Sequence, residues 1–178
     1  AINHSFSVCA TGGFSTRNAS IGYWNSTYIN IVSTILMFLS SLHFAILFFC
    51  VVNRSLKPLR NPVLKYYAIL TLASTVVMAL IMKTNNYVDS WGTALMNSSF
   101  HVTSYLSSTG FDIADSSYLS PFICMLILFL SLQCGMAGST TGGLKVDRMV
   151  LLFKAINKHI KKSLHPSSIS DVRYGVRT

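Results

Sequence analysis

Glutamate is absent from this 178-residue chain, whose whole acidic complement is five aspartates. Charged residues make up only 11% of it, while 51% are hydrophobic and the mean hydropathy is +0.50. A water-soluble domain carries roughly 25% charged residues. These shortages argue against a soluble domain and point to a membrane protein. The 14 Lys and Arg leave a net charge of +9, but they sit in blocks beside apolar runs, as juxtamembrane charges do. No finger, RNP-like or basic-helix pattern is present, so no nucleic-acid partner is expected. Cys9, Cys50, Cys124 and Cys134 lie in or beside apolar segments without a C-x-x-C pair, which favours inert buried thiols over disulfides or zinc. Paired carboxylates, a Ser-His-Asp set and metal-ligand spacing are missing too, so an enzyme is not expected. The first residues lack the n-region and cleavage site of a signal peptide. No Met begins the chain, which reads as a piece of a longer protein.

What the chain does contain is a doubled segment. Ala10-Thr11-Gly12-Gly13-Phe14-Ser15 has a cousin in Ser107-Ser108-Thr109-Gly110-Phe111-Asp112. Setting Gly13 on Gly110 also sets His4 on His101, Ser7 on Ser104, Thr11 on Ser108, Asn18 on Asp115 and Ser20 on Ser117. A short Gly-bearing segment used twice suggests one backbone geometry repeated about a pseudo-symmetry axis. In a membrane, irregular backbone survives only where protein buries it or it faces water. The natural use is a ring of carbonyls that replaces the water around a cation. Small residues also let transmembrane helices pack closely, but here they are not at small-x-x-x-small spacing within a long helix.

Residues 2–10 read as the end of a half-helix that enters the membrane and stops, and Asn18 and Ser20 as caps for the helix that follows. Residues 29–52, about 24 without a charge, are long enough to span. His43 within them is expected to bond between helices rather than to relay protons. The basic stretch Arg54, Lys57, Arg60 and Lys65, broken by Pro58 and Pro62, is expected to be cytoplasmic. Residues 66–82 form a second span, and residues 91–106 a second re-entrant half-helix with Trp91 at the interface. A last span begins at residue 121 and dissolves into Cys134-Gly135-Met136-Ala137-Gly138-Ser139-Thr140-Thr141-Gly142-Gly143-Leu144-Lys145 before a helix resumes over 146–160. Gly138-x-x-x-x-Gly143 starts like a phosphate-binding loop, but Leu144 stands where Lys must follow, so no nucleotide or other organic cofactor is expected in this chain. The breaks Ser40-Ser41 and Ala137-Gly138 are equivalent in the two repeats, as a gate below a filter would be. Lys145 and Arg148 are either helix-end snorkelling residues or cations projecting into an ion path.

Ala10-Thr-Gly-Gly-Phe-Ser-Thr, Ser108-Thr-Gly-Phe and above all Ala137-Gly-Ser-Thr-Thr-Gly-Gly-Leu-Lys-Val-Asp-Arg148 resemble the TrkH/TrkG/KtrB family of bacterial potassium-uptake subunits, as do His165-Pro166 and Val172-Arg173 in the tail. The resemblance covers nearly the whole chain. It implies an all-α membrane protein of helix–pore-loop–helix repeats, a fused potassium-channel-like architecture. Residues 1–60 would be the third repeat from its pore helix onward and residues 61–178 the fourth, with the first and second repeats missing. It implies K+ filter residues Thr11, Gly12, Gly13 and Phe14 with Ser108, Thr109, Gly110 and Phe111, the ion resting at Thr11, Gly12, Gly13, Ser108, Thr109 and Gly110. It also implies a gating loop near residues 38–42, with Ser40 and Ser41 in it, faced by Arg148 or, second, by Lys145. Implied partners are the lipid bilayer, a second copy in a homodimer and a cytosolic nucleotide-binding TrkA-like subunit. The implied location is the bacterial inner membrane, multi-pass, with a cytoplasmic C-terminal tail. The chain departs from the family at Asp112, where a small neutral residue is usual, and at Ser40-Ser41, which replaces a more Gly-rich loop. The TrkG-like branch is the nearest expected fit. The rivals are a secondary transporter of another solute, which would need a coupling acid within a span, and a non-conducting assembly module.

Overall fold

The computed structural model describes residues 2–54, 58, 61–113 and 120–164. Lys57, Arg60, Asp115, Ser117 and the tail motifs His165-Pro166 and Val172-Arg173 lie outside them. Among the described residues seven helices carry the fold: α1 (Ile2–Cys9), α2 (Thr27–Ser40), α3 (Phe44–Val52), α4 (Pro62–Thr84), α5 (Trp91–Leu106), α6 (Pro121–Leu132) and α7 (Val146–Leu164). A 3-10 turn, Ser20–Trp24, precedes α2. Between α6 and α7 two residue pairs form a short parallel ladder, Gln133 with Leu144 and Cys134 with Lys145.

Helix α5 is the hub. Helices α4, α2 and α6 all pack on it. Its residues 100–104 are buried in unbroken succession, so every side of the helix meets protein. A helix buried all round is normally apolar throughout. This one carries Ser98, His101, Thr103 and Ser104, and the hydroxyl of Thr103 returns to the Ser99 carbonyl at 2.7 Å. Ser90 starts the helix by accepting the Gly92 N–H at 3.3 Å.

Helix α4 is the longest and is apolar enough to cross a membrane. Asn61 caps it through the Val63 N–H at 2.9 Å, and Pro62 sits in the first turn, where its missing N–H costs nothing. Val63, Tyr67, Thr71, Ser74, Met78 and Met82 form its buried stripe, three or four residues apart. Ile69, Leu72, Val76, Val77 and Leu80 are exposed on the opposite side. An apolar cluster ties the start of the chain to α5 and the second doubled segment: Val8, Ile21 and Met37 with Phe100 and Phe111.

Four expectations need correction. Residues 29–52 do not make one straight span, because α2 and α3 meet at 101°. The Ser40 and Ser41 hydroxyls both turn back to the Met37 carbonyl, at 2.9 and 2.8 Å, and so help to end the helix. His43 then starts α3, its Nδ1 accepting the Ala45 N–H at 3.1 Å, which makes it a cap rather than a link between helices. Nor do Asn18 and Ser20 cap α2. Ser26 occupies that position, and Ser20 is left-handed (φ +51) because its hydroxyl is used elsewhere. None of the four cysteines is in a disulfide, but only Cys134 is buried and Cys9 and Cys124 are exposed.

Phe100→Ala should lower stability by about 3–5 kcal/mol, since it empties the joint between the repeats. Thermal unfolding of the full-length protein in detergent measures it, and a change under ~1 kcal/mol would be inconsistent with this packing.

Candidate functional site

The doubled segments begin where α1 and α5 end, and the two endings share one hydrogen-bond pattern. Thr11 N–H bonds the Val8 carbonyl at 3.1 Å and Gly12 N–H the Ser7 carbonyl at 2.8 Å. In the second copy Ser108 N–H bonds the Tyr105 carbonyl at 3.0 Å and Thr109 N–H the Ser104 carbonyl at 2.9 Å. This is a Schellman ending, which places one residue in the left-handed region, usually glycine. Here the left-handed residues are Thr11 (φ +51) and Ser108 (φ +54). A β-branched residue there is a genuine outlier.

Two residues on, the sign turns again. Gly13 (φ +68) and Gly110 (φ +75) are left-handed, whereas Gly12 and Thr109 between them are not. In plain extended chain successive carbonyls point to opposite sides. Reversing the sign of φ at every second residue turns them toward one side instead. Both segments therefore repeat one backbone alternation just past a helix C-terminus, the negative end of the helix dipole.

Ser7 and Ser104 pin the far ends. The Ser7 hydroxyl accepts the Phe14 N–H at 2.7 Å, and the Ser104 hydroxyl donates to the Phe111 carbonyl at 2.6 Å. The two segments also touch. A Cβ on Gly13 would overlap the Thr109 carbonyl oxygen and lie 3.6 Å from the Gly110 carbonyl carbon. Their phenylalanines differ: Phe111 is buried and Phe14 is 81% exposed.

The chain between α6 and α7 reaches back to this site. Residues 135–143 loop out of the ladder and touch both inner ends, the Thr11 hydroxyl donating to the Thr140 carbonyl at 3.0 Å and the Gly142 N–H to the Ser108 hydroxyl at 2.8 Å. The same loop meets the α2–α3 break. Met136 N–H bonds the Ser41 carbonyl at 3.0 Å, Phe44 N–H the Gly138 carbonyl at 3.1 Å, and the Thr140 hydroxyl the Ser40 carbonyl at 3.3 Å. Asp147, in the first turn of α7, accepts the Ala137 N–H at 2.5 Å. Lys145 extends its ammonium to the Thr141 carbonyl and, at 3.1 Å, to the Thr141 hydroxyl. Arg148 is exposed on α7.

Ser40, Ser41 and Lys145 thus gather around one loop, with Arg148 a short way beyond. Thr140, Thr141, Gly142 and Asp147 belong to the same network and were not singled out from the sequence. The Gly-rich interruption was the available signal, since backbone freed from a helix needs partners. Among the described residues no cluster of three or more His, Cys or Asp side chains could hold a metal ion. The chemistry on offer is neutral oxygen, suited to a weakly hydrated monovalent cation.

The chain is mostly helical, with exposed apolar faces on α3 and α4 and with irregular backbone over residues 10–15 and 135–143. The chain belongs to the TrkH family of cation transport proteins, whose family profile matches residues 1–178. The Trk system potassium uptake protein TrkH of Salmonella typhimurium is 36% identical over 99% of this chain and 37% of its own length. TrkG of Escherichia coli is 29% identical over 98% of this chain and 36% of its own length. The crystal structure of the potassium transporter TrkH from Vibrio parahaemolyticus matches 98% of this chain and 38% of that one, with a TM-score of 0.91 and 29% identity. The chain spans little more than a third of the length of these relatives.

Gly135→Ala should destabilise by about 1–3 kcal/mol, because a methyl would stand 2.7 Å from the Ser41 carbonyl oxygen. Gly92→Ala, where only the Ser90 hydroxyl lies near at 3.8 Å, should be neutral or stabilise by up to ~1 kcal/mol in its helix. Paired melting curves check the opposite signs.

Proposed function

We propose that this chain is half of a potassium translocation pore, with its two doubled segments supplying two of the four loops of a carbonyl filter. Potassium, the transported substrate, sheds water and rests against the oxygens of Thr11, Gly12, Gly13, Ser108, Thr109 and Gly110, with Phe14 and Phe111 at the outer ends of the filter. Residues 1–60 are then the third helix–pore-loop–helix repeat from its pore helix onward and residues 61–178 the fourth. The first and second repeats complete the ring. The observation that carries the reading is the same alternation of backbone sign in two segments that touch.

Beneath the filter the reading puts a gate formed by Ser40, Ser41 and the 135–143 loop, with Lys145 and Arg148 as cations that oppose the ion until displaced. The Lys145 ammonium bonding the Thr141 carbonyl supports that role, since it occupies an oxygen within two residues of the Thr11 and Ser108 contacts. The apolar outer faces of α3 and α4 then meet lipid of a bacterial inner membrane, with the basic blocks and the C-terminal tail cytoplasmic. The naming of several relatives as parts of a Trk system supports work with partner subunits, and to these the reading adds a homodimer and a TrkA-like cytosolic nucleotide-binding subunit.

Rubidium uptake by the full-length protein tests the filter. Gly13→Ala meets both a backbone clash and left-handed strain and should cut uptake by at least about tenfold, while Gly110→Ala, with strain alone, should cost about fivefold. Unchanged uptake in both would sink the proposal. For the gate, Arg148→Ala or Lys145→Ala should raise basal flux. A lowered flux in protein that accumulates and folds normally would contradict an obstructing role.

A further inference from the structure

A second pair is repeated at the same spacing as the filter segments. His4 on α1 bonds the Ser15 hydroxyl through Nε2 at 3.0 Å. His101 on α5 faces Asp112, Nδ1 lying 3.5 Å from Oδ1. In each repeat, then, a histidine of the half-helix reaches the residue directly after the filter phenylalanine. One partner is a hydroxyl and the other a carboxylate.

The fourth-repeat pair is the more tightly framed. His101 is 1% exposed, and its Nδ1 makes no hydrogen bond among the described residues, so Asp112 is the polar group it faces. Tyr105 stacks on the imidazole at 6.3 Å and Phe100 meets its edge at 6.1 Å, which fixes the ring. Asp112 is also where the two repeats are stitched together. Its N–H donates to the Ser20 hydroxyl at 3.3 Å and its carbonyl accepts the Gly22 N–H at 3.2 Å. Its Oδ1 accepts the Ile113 N–H at 2.9 Å. The left-handed Ser20 noted above exists to make this contact.

We propose that His101 and Asp112 form a clasp that positions the outer end of the fourth filter segment, making Asp112 a positioning residue for ion preference. The inference rests on the filter reading given above. Carbonyls that replace an ion's water discriminate only while their number and spacing are held. Residue 112 directly follows the Gly110 and Phe111 carbonyls, and fixing it to a buried imidazole on α5 and to the 20–22 turn leaves those oxygens little room to drift. Ser15 does the same for the third repeat with a neutral bond.

The test compares rubidium and sodium uptake by the full-length protein. Asp112→Ala should lower the rubidium-over-sodium preference about fivefold, the worth of one close polar pair, while rubidium capacity stays within about twofold. Asp112→Ser, which copies the Ser15 pair, should keep the preference within about twofold of the parent. His101→Phe, which preserves ring packing but removes the polar edge, should match Asp112→Ala and serves if that variant does not accumulate. An unchanged preference in Asp112→Ala or His101→Phe, or a loss in Asp112→Ser as deep as in Asp112→Ala, overturns the clasp. If Gly13→Ala still abolishes uptake in that case, the filter stands without it. If Gly13→Ala has no effect, the filter reading fails and takes the clasp with it.

Discussion

Everything else in this chain serves two left-handed residues that are not glycine. Placing an L-residue in that region costs roughly 1–2 kcal/mol, and Thr11 is β-branched besides. Such strain persists only where the surroundings over-determine it. At Ser108 the surroundings are α5, buried on every side, and the Ser104 and Gly142 bonds. At Thr11 they are the Ser7 pin and the Thr140 carbonyl. The hydroxyl side chains explain why glycine is not used. Each of them makes the bond that ties a filter segment to the loop beneath it, and glycine would relieve the strain but cut the tie.

That loop answers an accounting problem. Breaking a helix inside an apolar layer frees backbone N–H and C=O groups, and each left unpaired is costly. Two breaks placed side by side solve this by sharing partners. The Ser40, Ser41 and Gly138 carbonyls, the Met136 and Phe44 N–H groups and the Thr140 hydroxyl are all satisfied across the gap. Neither break is affordable alone. The loop also bonds Thr11 and Ser108, so it cannot leave its position without losing contacts to both doubled segments at once.

The repeat, the half-helix over residues 91–106 and the interruption near Ser40 were all legible in the sequence, because each is a local pattern of apolar length, glycine and hydroxyls. The 101° bend between α2 and α3 was not, since the residues on either side remain apolar and composition carries no direction. Ser20 read as a cap because serine before a helix usually is one. Its hydroxyl is claimed instead by Asp112, 92 residues away, a contact no local pattern encodes. The alignment matched His4 with His101 and Ser7 with Ser104, yet their roles emerged only when the residues they hold came within reach.

The two copies are alike in backbone and unlike in side chains, and the difference has a physical reason. Phe111 is buried between the repeats, stacked on His4 at 5.8 Å, whereas Phe14 at the equivalent place is exposed. A ring of identical subunits would give every filter segment the same neighbours. A single chain need not, so the residue after each phenylalanine can differ: a hydroxyl at Ser15 held by His4, a carboxylate at Asp112 facing His101. On the proposed filter reading the backbone geometry has to be shared, because one ion would meet all the oxygens together. The braces behind it are free to differ, and a charged one tolerates less change in its surroundings than a neutral one.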